Sequence, residues 1–150
     1  MNLFDATERS AWPLHCDRPS GNHLRCPAMP TIVSSVECLF CRIVAGEIPS
    51  TIVYESALSV AFRDLKPTAP THVLVVPKVH IDHAAAITAA DAESVADLFV
   101  TAQHVARADG IDGTGFRLVF NVGEDSGNTV NHLHLHVVGG RSMGWPPFSG

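Results

Sequence analysis

The chain has 150 residues, which suits one domain with its own hydrophobic core. Hydrophobic residues make up 46% and charged residues 17%, and the formal charge of -5 excludes a general electrostatic grip on nucleic acid or on a membrane surface. No apolar run approaches the roughly 20 residues that span a bilayer. The N-terminus, MNLFDATERSAWPLHCDRPSGNHLRCPAMP, has neither the basic start nor the long apolar stretch of a secretory signal, so a cytoplasmic location is expected.

Residues 1–35 contain Pro13, Pro19, Pro27 and Pro30 and show no hydrophobic periodicity; they are expected to form a disordered extension, with Met29 as an alternative start, ahead of a single domain over 36–150. The four cysteines are Cys16 and Cys26 in that extension and Cys38 and Cys41 in a Cys-x-x-Cys. Without a secretory signal, the latter pair reads as metal or redox chemistry rather than a disulfide framework. Leu39 to Ala45 reads as a short helix closed by Gly46. Thr51 to Tyr54 and Ser59 to Phe62 read as paired strands, and His72 to Pro77, rich in β-branched residues, as a third. Thr88 with Asp91 three residues on caps a long helix, whose apolar face is Val95, Leu98, Phe99, Ala102, Val105 and Ala106 and whose stop is Gly110. Gly115 to Val122 is a fourth strand and Val130 to Val138 the last, with a glycine-bearing loop between them. Strands, helix and strands joined by short links predict an α+β domain with a mainly antiparallel sheet, one long helix and one short helix.

The chemistry concentrates in His132-Leu133-His134-Leu135-His136-Val137-Val138. On a strand, side chains alternate between faces, so the three imidazoles share one face and the aliphatic residues pack behind them. Such a row is either a set of metal ligands or a nucleophile with flanking donors: a neutral imidazole with one nitrogen anchored and the other bare can attack an activated phosphorus and form a covalent phospho-histidine. The preceding loop, Asn121 to Val130, offers backbone N–H groups and the Thr129 hydroxyl as a phosphate cradle. Cys38 and Cys41 need further ligands to hold a metal, and His80 with His132 complete a sensible Cys2His2 set that leaves His134 for catalysis. Asp64 can accept hydrogen bonds from both hydroxyls of a ribose, and Phe40, Ile43, Phe62 and Leu65 can sandwich a base, although each is equally at home in a core.

Taken together, these residues resemble the histidine-triad (HIT) family, whose signature is His-φ-His-φ-His-φ-φ. The resemblance runs from about Glu37 to Pro147 and includes Cys38-Leu-Phe-Cys41, Ala45-Gly-Glu-Ile-Pro49, Ala61-Phe-Arg-Asp64, Ala69-Pro-Thr-His72, Leu74-Val-Val-Pro-Lys78 with His80, Asn121, and Gly139-Gly-Arg-Ser-Met143. The ending Trp145-Pro-Pro147 is similar to the Hint branch, the purine nucleoside phosphoramidases. The resemblance implies a HIT-like fold, a homodimer with sheets joined across it, and a site for a purine nucleoside monophosphate or its phosphoramidate. It implies cleavage of the P–N bond of AMP-lysine-like phosphoramidates, and often cleavage of acyl-adenylates, through a nucleotidyl-histidine on His134. His136 and His72 would support proton transfer around the phosphate. Asn121, Gly127, Thr129 and Val130 would line the phosphate side, Asp64 would hold the ribose, and Phe40, Ile43, Phe62 and Leu65 would surround the base. Cys38, Cys41, His80 and His132 look like a structural zinc site, with no metal required in the chemical step.

The chain departs from the Hint pattern at Thr129, where serine is common, at Val122, often acidic, at Asn128, often glutamine, and in the extra Phe148-Ser-Gly150. Three further readings stay open at this level: dinucleoside polyphosphate hydrolysis, as in the fragile-histidine branch, against which the Trp-Pro-Pro tail argues; a non-catalytic AMP-binding partner protein; and a zinc hydrolase that uses the triad as metal ligands.

Overall fold

A computed structural model describes residues 38–144. The expected disordered extension and the Trp-Pro-Pro tail lie outside the described residues.

Seven elements form the domain: α1 (Leu39–Val44), β1 (Ile52–Glu55), β2 (Ser59–Arg63), β3 (Thr71–Pro77), α2 (Ala92–Ala108), β4 (Phe116–Val119) and β5 (Leu135–Gly139). The strands make one antiparallel sheet in the order β1-β2-β3-β5-β4. The α+β class and mainly antiparallel sheet expected from the alternation of elements are therefore present.

β3 lies at the centre, and all seven of its residues are buried. A strand covered on both faces is apolar throughout, which is why Val73 to Val76 form an unbroken run rather than an alternation. Period two then sorts the core into two layers. Val73 and Val75 join Ala61, Leu135 and Val137 against Leu98, Ala102, Val105 and Ala106 of α2. Leu74 and Val76 join Val60 and Phe62 on the opposite face, where Phe40 of α1 closes the second layer.

α2 starts at Ala92, three residues later than a cap at Thr88 would place it, because a 3-10 turn at Ala89–Asp91 comes first. The cap residues are those expected: the Asp91 carboxylate accepts from the Thr88 backbone N–H and hydroxyl, both at 2.8 Å. At the other end Gly110 adopts φ +67°, a left-handed conformation that suits glycine and lets the Ile111 N–H reach back to the Ala106 carbonyl.

The end of α2 is tied to the sheet by a contact with no local sequence signal. Asp109 accepts both guanidinium arms of Arg63, at 2.6 and 2.7 Å, and the Thr71 hydroxyl at 2.7 Å. The Arg63 hydrogen bond, helped by Thr71, holds the Asp109 carboxyl below the usual carboxylate range despite its partial burial. Asp109→Ala is expected to cost about 1–3 kcal/mol, since charge-assisted hydrogen bonds are lost and Arg63 is left without its fork partner. Urea unfolding checks this, and the difference from wild type should vanish only in strong acid, once Asp109 is protonated.

Two strands differ from expectation. β4 stops at Val119 rather than Val122, and β5 begins at Leu135 rather than Val130. The cause is Pro77. Register pairs Val75 with Leu135, and the next residue of β3 whose backbone faces β5 is Pro77, which lacks the N–H that rung would need. Instead the Pro77 carbonyl accepts from the His132 ring at 3.0 Å, and the Leu133 N–H turns to the Ile81 carbonyl. His132 and His134 thus stand on irregular backbone ahead of the strand, and only His136 lies within it.

Candidate functional site

Two clusters of metal-capable side chains occur among the described residues, and hydrogen bonding distinguishes them. The first is Cys38, Cys41, His80 and His132, with ligand atoms within 4.8 Å of one another. Cys38 and Cys41 flank the first turn of α1, and His80 follows the end of β3. His132 Nδ1 is 3.4 Å from Cys38 Sγ and 3.5 Å from Cys41 Sγ, while His80 Nδ1 is 3.2 Å from Cys41 Sγ. A tetrahedral zinc with ordinary bonds to sulfur and nitrogen would set these edges at about 3.6 Å. The tautomers also fit. His132 Nε2 faces the Pro77 carbonyl at 3.0 Å, and His80 Nε2 faces Asp82 Oδ1 at 2.9 Å. Both acceptors require an N–H at Nε2, so both Nδ1 lone pairs turn towards the sulfurs.

The second cluster is Asp64, His72 and His136. Here the backbone N–H of Thr68 donates to His72 Nδ1 at 3.2 Å, so a neutral His72 carries its proton on Nε2. That nitrogen faces His136 Nδ1 at 2.9 Å and Asp64 Oδ2 at 3.5 Å. A protonated nitrogen offers no lone pair to a cation, so this cluster is a proton-carrying chain. With its Nδ1 accepting, neutral His136 bears its own proton on Nε2; the Asn121 amide, whose nitrogen stands 3.5 Å away, accepts that proton only when it turns its oxygen to the ring.

His134 lies between the two clusters. It is only 8% exposed, and its Nδ1–H donates to the His132 carbonyl at 2.7 Å. One ring nitrogen is therefore anchored and Nε2 keeps its lone pair. Phe40 packs edge-on against both His132 and His134, with centroids at 5.9 and 5.2 Å, and His136 lies at 5.0 Å from His134. The arrangement pairs a bare imidazole nitrogen with a neighbouring N–H donor, which suits attack on phosphorus and protonation of a leaving group.

Burial pushes the His136 ring down to about 4, with repulsion from His134 and His72 adding to the effect and Asp64 opposing it. His132 is likewise pushed down to about 4, first by burial. Both rings are thus neutral near pH 7. Their folded values lie below the ordinary 6.5, so the unfolded chain binds more protons between about 6.5 and 4. Stability is expected to be full above about pH 6.5 and to fall as acid approaches pH 4. Urea midpoints across that range check this, and His136→Asn should flatten the slope.

Phe40, Phe62, Ile43 and Val130 gather in one apolar cluster beside the histidines. Leu65 does not join them, being 95% exposed. Asp64 Oδ1 accepts from the Lys66 backbone N–H, which leaves its other oxygen towards His72. A cavity of about 440 Å³ is lined by Arg63, Asp64, Pro67, Pro70, Thr71, His72 and Asp109. Its wall contains Asp64 and His72 but neither His134 nor His136, so it flanks the triad rather than covering it. Gly127 (φ +76°) ends a 3-10 turn at Glu124–Ser126, and Thr129 is exposed on the same loop. Residues that sequence reasoning did not single out are Thr68, Asp82 and the backbone of Pro77. The His80-x-Asp82 spacing was the one local signal available; the other two act through main-chain atoms.

A HIT domain model matches residues 45–143. The chain belongs to the HIT domain family. It is 38% identical over 108 residues to the purine nucleoside phosphoramidase of Escherichia coli K12, covering 72% of this chain and 91% of the relative. It is 41% identical over 114 residues to a 14 kDa zinc-binding protein of Brassica juncea, covering 74% of this chain and 99% of the relative. Among solved structures, a HIT family hydrolase from Legionella pneumophila Philadelphia 1 is 48% identical with a TM-score of 0.71, over 73% of this chain and 98% of that one. These similarities cover the sheet, α2 and the histidine run, so the resemblance seen in the motifs is a resemblance of fold.

Proposed function

We propose that this HIT protein hydrolyses the P–N bond of purine nucleoside phosphoramidates such as AMP-lysine-like compounds, and by the same attack on phosphorus the P–O bond of acyl-adenylates. The observation that carries the reading is the fixed His134 tautomer, with Nδ1–H held by the His132 carbonyl at 2.7 Å and a bare Nε2 beside the His136 donor. The similarity to the E. coli phosphoramidase and to the Legionella hydrolase supports the class of reaction.

In the first step the His134 Nε2 lone pair attacks phosphorus, and a P–N bond to the ring forms as the bond to the leaving amine breaks. The amine departs with that electron pair and takes the proton from His136 Nε2. In the second step His136 accepts a proton from water, whose oxygen attacks phosphorus and releases AMP, returning the lone pair to His134. His72, anchored by Thr68, steadies His136 from behind and polarises it towards Asp64. Asn121, Gly127, Thr129 and Val130 would line the phosphate side, Asp64 the ribose, and Phe40, Ile43 and Phe62 the base, with the exposed Leu65 outside that apolar cluster.

The Cys2His2 cluster fits zinc by ligand type, spacing and tautomer, and the zinc-binding relative supports that metal. When bound it would supply a rigid crosslink between α1, the segment after β3 and the segment before β5. The reading also includes a homodimer: β4 is an edge strand with four half-buried residues, and Phe99 and Val100 of the neighbouring helix are exposed.

Incubating the protein with an AMP phosphoramidate and following AMP release tests the activity, with acid quenching to trap a nucleotidyl-protein. AMP release with a trapped adduct is the expected outcome. Tight AMP binding without release would overturn the enzymatic reading, and faster cleavage of a diadenosine polyphosphate would overturn the substrate class.

A further inference from the structure

We infer that the Cys38–Cys41–His80–His132 cluster is a positioning centre for the nucleophile, with His132 as the residue that transmits its order to His134. This rests on the reading of His134 as nucleophile and of the cluster as a metal site.

His132 is held from several sides. It is fully buried, its ring Nε2–H donates to the Pro77 carbonyl, its Nδ1 faces both sulfurs, and its backbone N–H donates to the Val130 carbonyl at 2.9 Å. The carbonyl of this same residue accepts the His134 Nδ1–H. The next residue, Leu133, donates its backbone N–H to Ile81, which adjoins the ligand His80. Phe40 sits between Cys38 and Cys41 in the chain and touches both the His132 and His134 rings.

The result is a short mechanical chain, from sulfur to metal, to the His132 ring, to its backbone, to the proton on His134. Because this segment lies outside the β3–β5 ladder, no strand pairing holds it. A free neutral imidazole populates both tautomers, and only one of them leaves the lone pair on Nε2. Losing the crosslink is therefore expected to loosen the tautomer of His134 more than that of His72 or His136, which are tied through Thr68 and each other.

The test uses the full chain with isotope-labelled imidazole nitrogens, zinc-loaded, stripped by a chelator, and reloaded with zinc. In the loaded protein His134 should show a single Nδ1–H tautomer. After stripping it should show averaged tautomers, while His72 and His136 keep theirs. AMP affinity should change by less than about threefold, and kcat should fall by about tenfold or more at nearly constant KM, as expected when an interaction of the transition state is lost. Zinc should restore both readouts. A stripped, folded protein in which His134 keeps one tautomer would overturn the inference.

If the stripped chain unfolds, cadmium substitution keeps all four ligands but lengthens the bonds to sulfur. The His134 Nδ1–H resonance should then move while that of His136 does not; an unmoved His134 would overturn the coupling. Tautomer loosening in a protein that cleaves no phosphoramidate would sink the proposed activity and leave the coupling standing.

Discussion

His134→Ala is expected to reduce turnover of an AMP phosphoramidate by at least about 10⁴-fold, with the fold and the metal cluster retained. The side chain supplies the attacking nitrogen in the proposed mechanism, and no other ring near it has a bare nitrogen directed by the same bonds. His136 bears its proton on the nitrogen towards Asn121, and His72 on the nitrogen towards His136. Neither can replace His134 without changing tautomer. The structural cost is small by comparison: one hydrogen bond to the His132 carbonyl and the edge contact with Phe40 are lost, about 1–3 kcal/mol. Circular dichroism and metal analysis should therefore match wild type while the rate collapses. Near-normal turnover in the variant would move the chemistry off His134.

Removing the metal is expected to have the largest effect on stability. Zinc at about a thousandfold above its dissociation constant contributes about 4 kcal/mol to the folded state. For a domain of this size that corresponds to a fall in Tm on the order of 15 °C on adding a strong chelator. The reason lies in what the four ligands join. α1 has only six residues, less than two turns, and buries only Phe40, so it owes little to its own packing. Cys38 and Cys41 anchor it to His80 and His132, which belong to segments far apart in the chain. Calorimetry with and without chelator measures the difference, and Cys41→Ser should reproduce it without chelator. A Tm unmoved by either would argue against a structural metal.

The elements and the site were legible to different depths. The sheet and α2 could be read because burial imposes periodicity: β3 is apolar from Val73 to Pro77, and α2 carries its apolar face at helical spacing with Thr88, Asp91 and Gly110 marking its ends. The histidine run marked itself as a candidate site by residue type and spacing, as either metal ligands or a nucleophile with flanking donors. Its local geometry was not legible, because the strand that would have carried all three histidines is ended by Pro77 on a different strand. Register between distant segments decides that, and no local pattern reports it. The same holds for the Arg63–Asp109 fork, whose partners are 46 residues apart. Leu65 could be grouped with the apolar base candidates by type, yet its exposure depends on where the chain leaves β2. The tautomers of His72 and His132 depend on main-chain partners, Thr68 N–H and the Pro77 carbonyl, which any residue type could in principle supply.

The contact between His72 and His136 joins positions 64 residues apart, across the pairing of β3 with β5. Between them the chain must form α2 and close it over the sheet. Closing so large a loop costs entropy before the pairing returns anything, and such non-local contacts slow folding into the millisecond-to-second range. Helix and β1–β2 hairpin signals should accordingly recover first on dilution from denaturant. The proton path through His72 and His136 would be completed in the slowest step, so enzymatic competence, rather than helical content, would time the arrival of the native state.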